Sequence, residues 1–255
     1  MPERHCTPNA TLEYFDTVAS AYAHNLNMSP DFSERFELFR KQMVDARSRV
    51  TTTAPRSLDI GCGPGTLAVE AGVLGFRAIG LDGSTRMLEL ARNAGRKRGI
   101  PLDLRLATVP LPEHLLCELE GSVDLLVASS VIEYIDDDIT FAAQCRRLLS
   151  PGGIALVSFA NRGSAYRRLE RMLRSVGWWL RSDRAVRRHQ HEEATARELF
   201  ASVGLRTRHV EYFAMPPVAY RVSRTARRPR WIATLFLITL EAPPGPVSDE
   251  TRRVR

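Results

Sequence analysis

The sequence Leu58-Asp59-Ile60-Gly61-Cys62-Gly63-Pro64-Gly65-Thr66 runs from an apolar segment into a glycine turn and out into a helical pattern. Glycines at such a turn let a backbone approach a ligand where a Cβ would clash. The spacing is GxGxG rather than GxGxxG, so the fingerprint for a pyrophosphate is not met. Asp59, two residues before the first glycine, repels a diphosphate and favours a cationic group such as an ammonium. Asp82 closes the next apolar run, 21 residues after Gly61. A carboxylate there accepts hydrogen bonds from both hydroxyls of a ribose. Together Asp59 and Asp82 ask for a ligand with a ribose and an amino group but no diphosphate.

Outward from this turn, strand and helix patterns alternate over residues 56–160. Strands are expected at Arg56–Ile60, Ala78–Leu81, Leu102–Leu106, Val123–Ser129 and Ile154–Phe159. Helices are expected at Thr66–Leu74, Ser84–Arg98 and Asp138–Leu149. Val123–Ser129 is almost wholly apolar, as a strand buried on both faces must be. The alternation predicts an α/β fold, a parallel sheet with helices on both faces. Two helices precede it, Thr11–His24 and Ser33–Arg49, with Pro30 stopping the first and Asp31 or Ser33 capping the second. After it come a basic segment (162–191), a helix (His191–Val203) ended by Gly204, and strands Arg206–Phe213 and Trp231–Leu240. The Pro-rich tail 243–255 reads as frayed. The whole chain, 1–255, reads as one domain with no internal repeat.

Composition excludes several classes. With 44% hydrophobic and 25% charged residues over 255 positions, the chain is neither disordered, collagen-like nor a disulfide scaffold. Four scattered cysteines (Cys6, Cys62, Cys117, Cys145) without a CxxC pair fit reduced thiols and a cytoplasmic location. No signal peptide is expected from MPERHCTPNA, and no apolar run approaches the ~20 residues that span a bilayer. All but two of the 36 basic residues are Arg. Residues 1–161 carry a net −4 and residues 162–255 a net +11, so the basic character is confined to the second part. Such asymmetry points to an anionic partner or to a solvated surface.

LDIGCGPGT, GLDGSTRML, VDLLVASSVIEYIDD and LSPGGIALVSFAN occur in order and at the spacing of the class I S-adenosylmethionine-dependent methyltransferases, which this chain resembles over residues 56–160. More loosely, Tyr14–Tyr22 resembles the entry helix of the quinone and small-molecule O-methyltransferases of that family. ELFASVGLRTRHVEYF and TLFLITLEA resemble its last helix and closing strand pair. The resemblance implies a Rossmann-like, seven-stranded, mostly parallel sheet with one reversed strand and a helical lid. It also implies S-adenosylmethionine as methyl donor and S-adenosylhomocysteine as product. Carried over by position, Gly61, Gly63 and Gly65 line the methionine part, Asp59 reaches its amino group, and Asp82 holds the ribose. Gly83 and Met87 pack near the adenine, Ser129 and Ser130 face the methyl end, and Tyr14 or Tyr22 covers the carboxylate. The family's acidic residue after the third strand is absent; Thr108 or backbone groups stand in its place. Cys62 reads as a small buried filler.

Methyl transfer from a sulfonium needs positioning and exclusion of water, and a base only for a protonated acceptor. Relatives often carry Glu-His after the fourth strand; here the pair is Glu133-Tyr134. Candidate catalytic groups are Glu133, Tyr134, His189 and His191, with Asn161 as a further pocket residue. Two histidines are too few for a metal site, and none is expected. Ala128-Ser129-Ser130-Val131 stands where the family's nucleic-acid amino methylases carry Asn/Asp-Pro-Pro-Tyr, which argues against a flipped base as acceptor. The expected acceptor is an oxygen of a small molecule, anionic or lipid-like. A regulatory protein that only binds the donor, and an enzyme acting on a lipid-linked or RNA acceptor, stay open as alternatives. Residues 162–191 hold nine Arg against Glu170 and Asp183. Tyr166, Leu169, Met172, Leu173, Val176 and Leu180 fall on one helical face. This face is expected to cover the core as a lid, or to meet a membrane surface. Nucleic acid is the least expected partner, and the sequence leaves the oligomeric state open.

Overall fold

β-branched and leucine-rich runs bounded by glycine turns pair as a single sheet in the structure, a computed structural model that describes residues 13–19, 30–175, 189–215 and 229–245. Its helices and strands, in chain order, are α1 (13–19), α2 (Pro30–Arg49), β1 (Arg56–Ile60), α3 (Thr66–Val73), β2 (Arg77–Asp82), α4 (Thr85–Arg98), β3 (Leu102–Leu106), α5 (Glu113–Leu119), β4 (Val123–Ala128), α6 (Asp138–Leu148), β5 (Leu149–Ala160), α7 (Ala165–Ser175), α8 (Glu193–Ser202), β6 (Arg206–Phe213) and β7 (Leu235–Glu241). The sheet order is β3-β2-β1-β4-β5-β7-β6. β1 to β5 pair in parallel, and β7 runs antiparallel to both β5 and β6. The expected seven-stranded Rossmann-like sheet with one reversed strand is therefore present. Strand order reverses between β1 and β4, and a crevice opens at the carboxyl ends of strands at such a point.

Both sheet faces are covered. One core joins Leu58, Ile60, Leu126, Val157 and Phe159 to α5, α6 and α8. The other joins Ala78, Leu125, Val127, Leu156 and Leu237 to α2 and α3. Each fully buried Leu, Ile or Phe contributes about 1.5–3 kcal/mol. α2 lies along the second face through Phe39, Gln42, Met43 and Ala46, spaced i, i+3, i+4, i+7. The Gln42 side chain meets Thr239 of β7 at 3.2 Å, and Arg40 pairs with buried Glu70 of α3 at 2.9 Å. Ser84 caps α4 by accepting from the Met87 N–H at 3.1 Å, and Asp137 caps α6 through Thr140.

Several expected boundaries move. Pro30 opens α2 rather than ending the preceding helix, because its missing N–H costs nothing in a first turn. Asp31 and Ser33 thus lie inside the helix. α5 was not expected: seven residues are too few for a periodic signal, but Leu115, Leu116 and Leu119 bury there. β5 extends back through Pro151-Gly152-Gly153 to Leu149 with a register shift against β4. β7 starts at Leu235, with Trp231 and Ile232 in a turn. Leu169 and Met172 of α7 do not cover the core; they are 49% and 59% exposed. Tyr22, residues 176–188, Arg221, Arg224, Arg227 and Arg228 lie outside the described residues.

Candidate functional site

The glycine turn and the end of β2 are joined by hydrogen bonds. The Gly63 N–H donates to Asp82 Oδ2 at 2.8 Å, and the Ser84 N–H donates to Asp82 Oδ1 at 2.8 Å. Each carboxylate oxygen keeps a second lone pair for a ligand hydroxyl. Gly65 sits at φ +82, and a Cβ on it would lie 2.7 Å from Ala91 Cβ, so it sets how closely α3 and α4 approach. Gly63 has φ +52, and a Cβ there would meet nothing within 4 Å. Its space is open to a ligand, and it needs glycine for its backbone conformation.

A cleft of about 380 Å³ opens above this turn, lined on one side by Asp59, Gly61, Cys62, Gly63, Pro64 and Ser129. Asp59 is buried. Desolvation lifts its carboxyl to about 8, and the Asp82 charge adds to the rise. Burial raises Asp82 as well; the Ser84 and Gly63 N–H groups pull it back, while Asp16 pushes it up. The site therefore holds more negative charge than it can keep ionised, a condition that a cationic ligand relieves. Burial, followed by the same two carboxylates, pushes the Cys62 thiol well up, so it stays protonated and is no nucleophile.

The other cleft wall is the first turns of α2, with Phe32, Ser33, Arg35, Phe36 and Glu37. None of these was singled out from sequence. The available signal was position: Arg35 precedes Phe39 by four residues on the stripe that buries α2. α1 closes over the far end, where Ser84 Oγ donates to Asp16 and the Phe15 ring meets Tyr134 edge-on at 5.4 Å. Met87 is buried and Gly83 half-buried beside Asp82. Thr108 is exposed on the loop that the Ala107 N–H ties to the Asp82 carbonyl at 3.0 Å. Tyr14 packs edge-on against Phe15 and does not line the cleft.

The chain after β4 gathers the remaining candidates. Ser130 has φ 57, its N–H donates to Ser158 Oγ at 2.8 Å, and its own hydroxyl is buried without a partner. Glu133 is buried with Oε1 unpartnered. The His189 N–H reaches the Glu133 carbonyl at 2.7 Å, which brings the two histidines to this segment. His189 Nε2 lies 3.1 Å from Asp136, and His191 Nε2 lies 2.8 Å from Asp138. His191 Nδ1 is buried without a partner. Asn161 faces away from this role: its side chain bonds the carbonyls of Arg230 and Ala233 and the Gly163 N–H, bracing the loop before β7. Among the described residues, no group of three His, Cys, Asp or Glu side chains could hold a metal.

Residues 58–157, which carry the glycine turn, Asp59, Asp82 and the β4 end, match the family described as "Methyltransferase domain". This core is thus similar to the class I methyltransferases over those residues. The chain is 34% identical over 133 residues to a ubiquinone biosynthesis O-methyltransferase of Caulobacter sp. (strain K31), covering 50% of this chain and 52% of that one. A protein of the same name from Chromobacterium violaceum is 31% identical over 125 residues, 49% of this chain and 52% of that one. The chain thus spans about half the length of the curated relatives it matches. Magnesium protoporphyrin IX methyltransferase of Synechocystis PCC 6803, solved with bound S-adenosylhomocysteine, superposes with a TM-score of 0.68 at 13% identity, covering 92% of this chain and 98% of that one. A Thermotoga maritima methyltransferase gives 0.57 at 18% identity, over 90% and 98%. The fold shared with these structures accounts for the site's position, since the cleft lies at the β1–β4 reversal.

Proposed function

We propose that this chain is an S-adenosylmethionine-dependent methyltransferase that methylates an oxygen of a small molecule. One observation carries the reading: two carboxylates, buried Asp59 and half-buried Asp82, flank a glycine turn whose Gly63 N–H orients Asp82, with open space at Gly63. The bound donor supplies an activated methyl group on a sulfonium, and the chain's residues supply position. Asp82 accepts from the ribose hydroxyls, and Asp59 takes the amino group, becoming ionised as it does so. Gly61, Gly63 and Gly65 give the methionine part its backbone cradle. Gly83, Met87 and Thr108 border the adenine, and Ser129 and Ser130 the methyl end. The names of the curated relatives support an oxygen of a quinone-like precursor as acceptor. A proton leaving that oxygen falls to Glu133 or His191, each of which keeps a buried unpartnered atom near the β4 end, as Ser130 and Asp138 also do.

The free thiols of Cys62, Cys117 and Cys145 support residence in a reducing compartment such as the cytoplasm. No described helix is long and apolar enough to cross a membrane. Exposed Leu169, Met172 and Trp231, with exposed Arg162 and Arg168 on the same segment, support contact with an anionic membrane surface that presents a lipid-like acceptor. Flotation with anionic vesicles is expected to carry the protein upward at low salt and less so at moderate salt; absence of lipid dependence would remove this part. The enzymatic reading is tested by incubating the protein with methyl-labelled S-adenosylmethionine and phenolic or quinol acceptors. Label in an ether-soluble product supports it; donor binding without transfer to any acceptor favours a regulatory binder.

A further inference from the structure

The foot of the sheet, at the amino ends of β1 and β2, carries two arginines where the core pattern calls for apolar side chains. Leu58 and Ile60 of β1 and Ile79 and Leu81 of β2 alternate inward on one sheet face. Arg56 and Arg77 lie two residues earlier on the same face and are direct neighbours in the parallel register. Like charges side by side on adjacent strands repel. Among the described residues neither guanidinium pairs with a carboxylate. Arg56 Nη1 donates to Ser122 Oγ at 3.2 Å, and the Arg77 side chain has no hydrogen-bond partner. The nearby acids are engaged elsewhere. Asp103 and Glu118 both hold Arg105, each at 2.7 Å, and Asp124 accepts from the Arg56 N–H and from Ser150 Oγ. Both arginines line a cavity of about 760 Å³ whose other walls include Phe76, Ile79, Ile100, Leu102 and Leu119. Arg47, over the Phe76 ring at 5.8 Å, adds a third positive charge there.

We propose that this cavity is a second ligand site, separate from the donor cleft, and that it takes a soluble phosphomonoester with an apolar body. Two adjacent guanidiniums offer a phosphate dianion paired, directional N–H donors, and Ser122 holds the Arg56 fork in orientation. The anion also relieves the repulsion between Arg56 and Arg77. Phe76, Ile100, Leu102 and Leu119 offer the apolar body a wall. The donor cleft opens at the carboxyl ends of the strands, and the two sites share no lining residue. The same separation argues against a phospholipid headgroup as the ligand. α7 follows the carboxyl end of β5, and Trp231 precedes β7, which runs antiparallel to β5. The exposed apolar patch of Leu169, Met172 and Trp231 thus lies at the other end of the sheet from Arg56 and Arg77. One flat membrane cannot meet both.

The test is calorimetric titration of the full chain with phenyl phosphate, inorganic phosphate and benzyl alcohol. Phenyl phosphate is expected to bind at one site, about 10-fold tighter than inorganic phosphate, with no heat from benzyl alcohol. Arg56→Gln and Arg77→Gln should each weaken phenyl phosphate about 10- to 100-fold, the range of a charged hydrogen bond. In chloride, Arg77→Gln should keep a urea midpoint at or above that of wild type, because it removes a like-charge neighbour. Flotation with phosphatidylglycerol vesicles should be the same for both variants as for wild type. The proposal is overturned if wild type binds neither phosphate, if the variants bind phenyl phosphate as wild type does, or if benzyl alcohol or inorganic phosphate binds as tightly. It is overturned as well if Arg77→Gln is less stable than wild type, which would give Arg77 a structural role. Flotation that depends on Arg56 and Arg77 would overturn the soluble ligand in favour of a lipid headgroup.

Discussion

The backbone N–H of Gly63 donates to Asp82 at 2.8 Å, across 19 residues of chain and from one parallel strand end to the next. This bond fixes the Asp82 carboxylate before any ligand arrives, and together with the Ser84 N–H it leaves one lone pair on each oxygen free for a ligand. Asp82→Asn replaces one acceptor oxygen by a donor, which opposes a backbone N–H and removes an acceptor and the negative charge from the ribose site. S-adenosylmethionine affinity is expected to fall about 10- to 100-fold by calorimetry. An unchanged affinity would remove Asp82 from the ribose site.

Gly63 and Gly65 should separate binding from stability. Gly65→Ala places a Cβ 2.7 Å from Ala91 Cβ and 2.9 Å from its Cα, besides the strain of φ +82. About 3 kcal/mol of stability should be lost in urea unfolding. Gly63→Ala meets nothing within 4 Å, so only the backbone strain of about 1–2 kcal/mol applies. Its methyl group projects into ligand space, and donor binding should suffer more than folding. Equal stability losses would contradict this division.

Asp59 gives the unliganded protein a pH dependence with a definite sign. Its carboxyl rises from an ordinary 3.8 to about 8, so between these values the folded state holds a proton that the unfolded state has released. Its contribution to stability is complete below about 4 and declines as pH rises toward 8. Asp59→Asn should therefore gain stability relative to wild type across that window, as measured by urea midpoints. The donor's ammonium favours ionised Asp59, so binding at pH 6.5 should release a proton. Calorimetry in buffers of different ionisation enthalpy reads that release, and Asp59→Asn should abolish it.

Asn161 braces the chain between β5 and β7 rather than serving the cleft. Asn161→Ala leaves the carbonyls of Arg230 and Ala233 and the Gly163 N–H without their side-chain partner. About 2–4 kcal/mol of stability should be lost, with donor affinity in the surviving folded protein close to wild type. A selective loss of donor affinity would return Asn161 to the cleft.

The cofactor half of the site is local in sequence, and so it could be read there. Asp59, the glycine turn and Asp82 each end a strand, and strand ends announce themselves by apolar runs stopping at glycine or acid. Arg35 is one of 34 arginines, and nothing local marks it. Its place in the cleft wall comes from the rotation of α2 about its axis, fixed by Phe39 and Met43 against the sheet. His189 and His191 were visible as residues, but their proximity to Glu133 depends on a bond from the His189 N–H to a carbonyl 56 residues earlier. α5 escaped because seven residues do not complete two helical turns. The α7 pattern was legible only in part: amphipathicity identifies an apolar face but not what covers it, and Leu169 and Met172 are exposed.

The central claim is that the cleft above the glycine turn, with Asp82 bonded to that turn, takes a ribose-bearing donor without a diphosphate. Titration of the full chain with S-adenosylmethionine and with NAD tests it most directly. Saturable binding of S-adenosylmethionine with one site per chain, and no heat from NAD, is expected. NAD binding at this site, or no binding of S-adenosylmethionine at millimolar concentration, would contradict it.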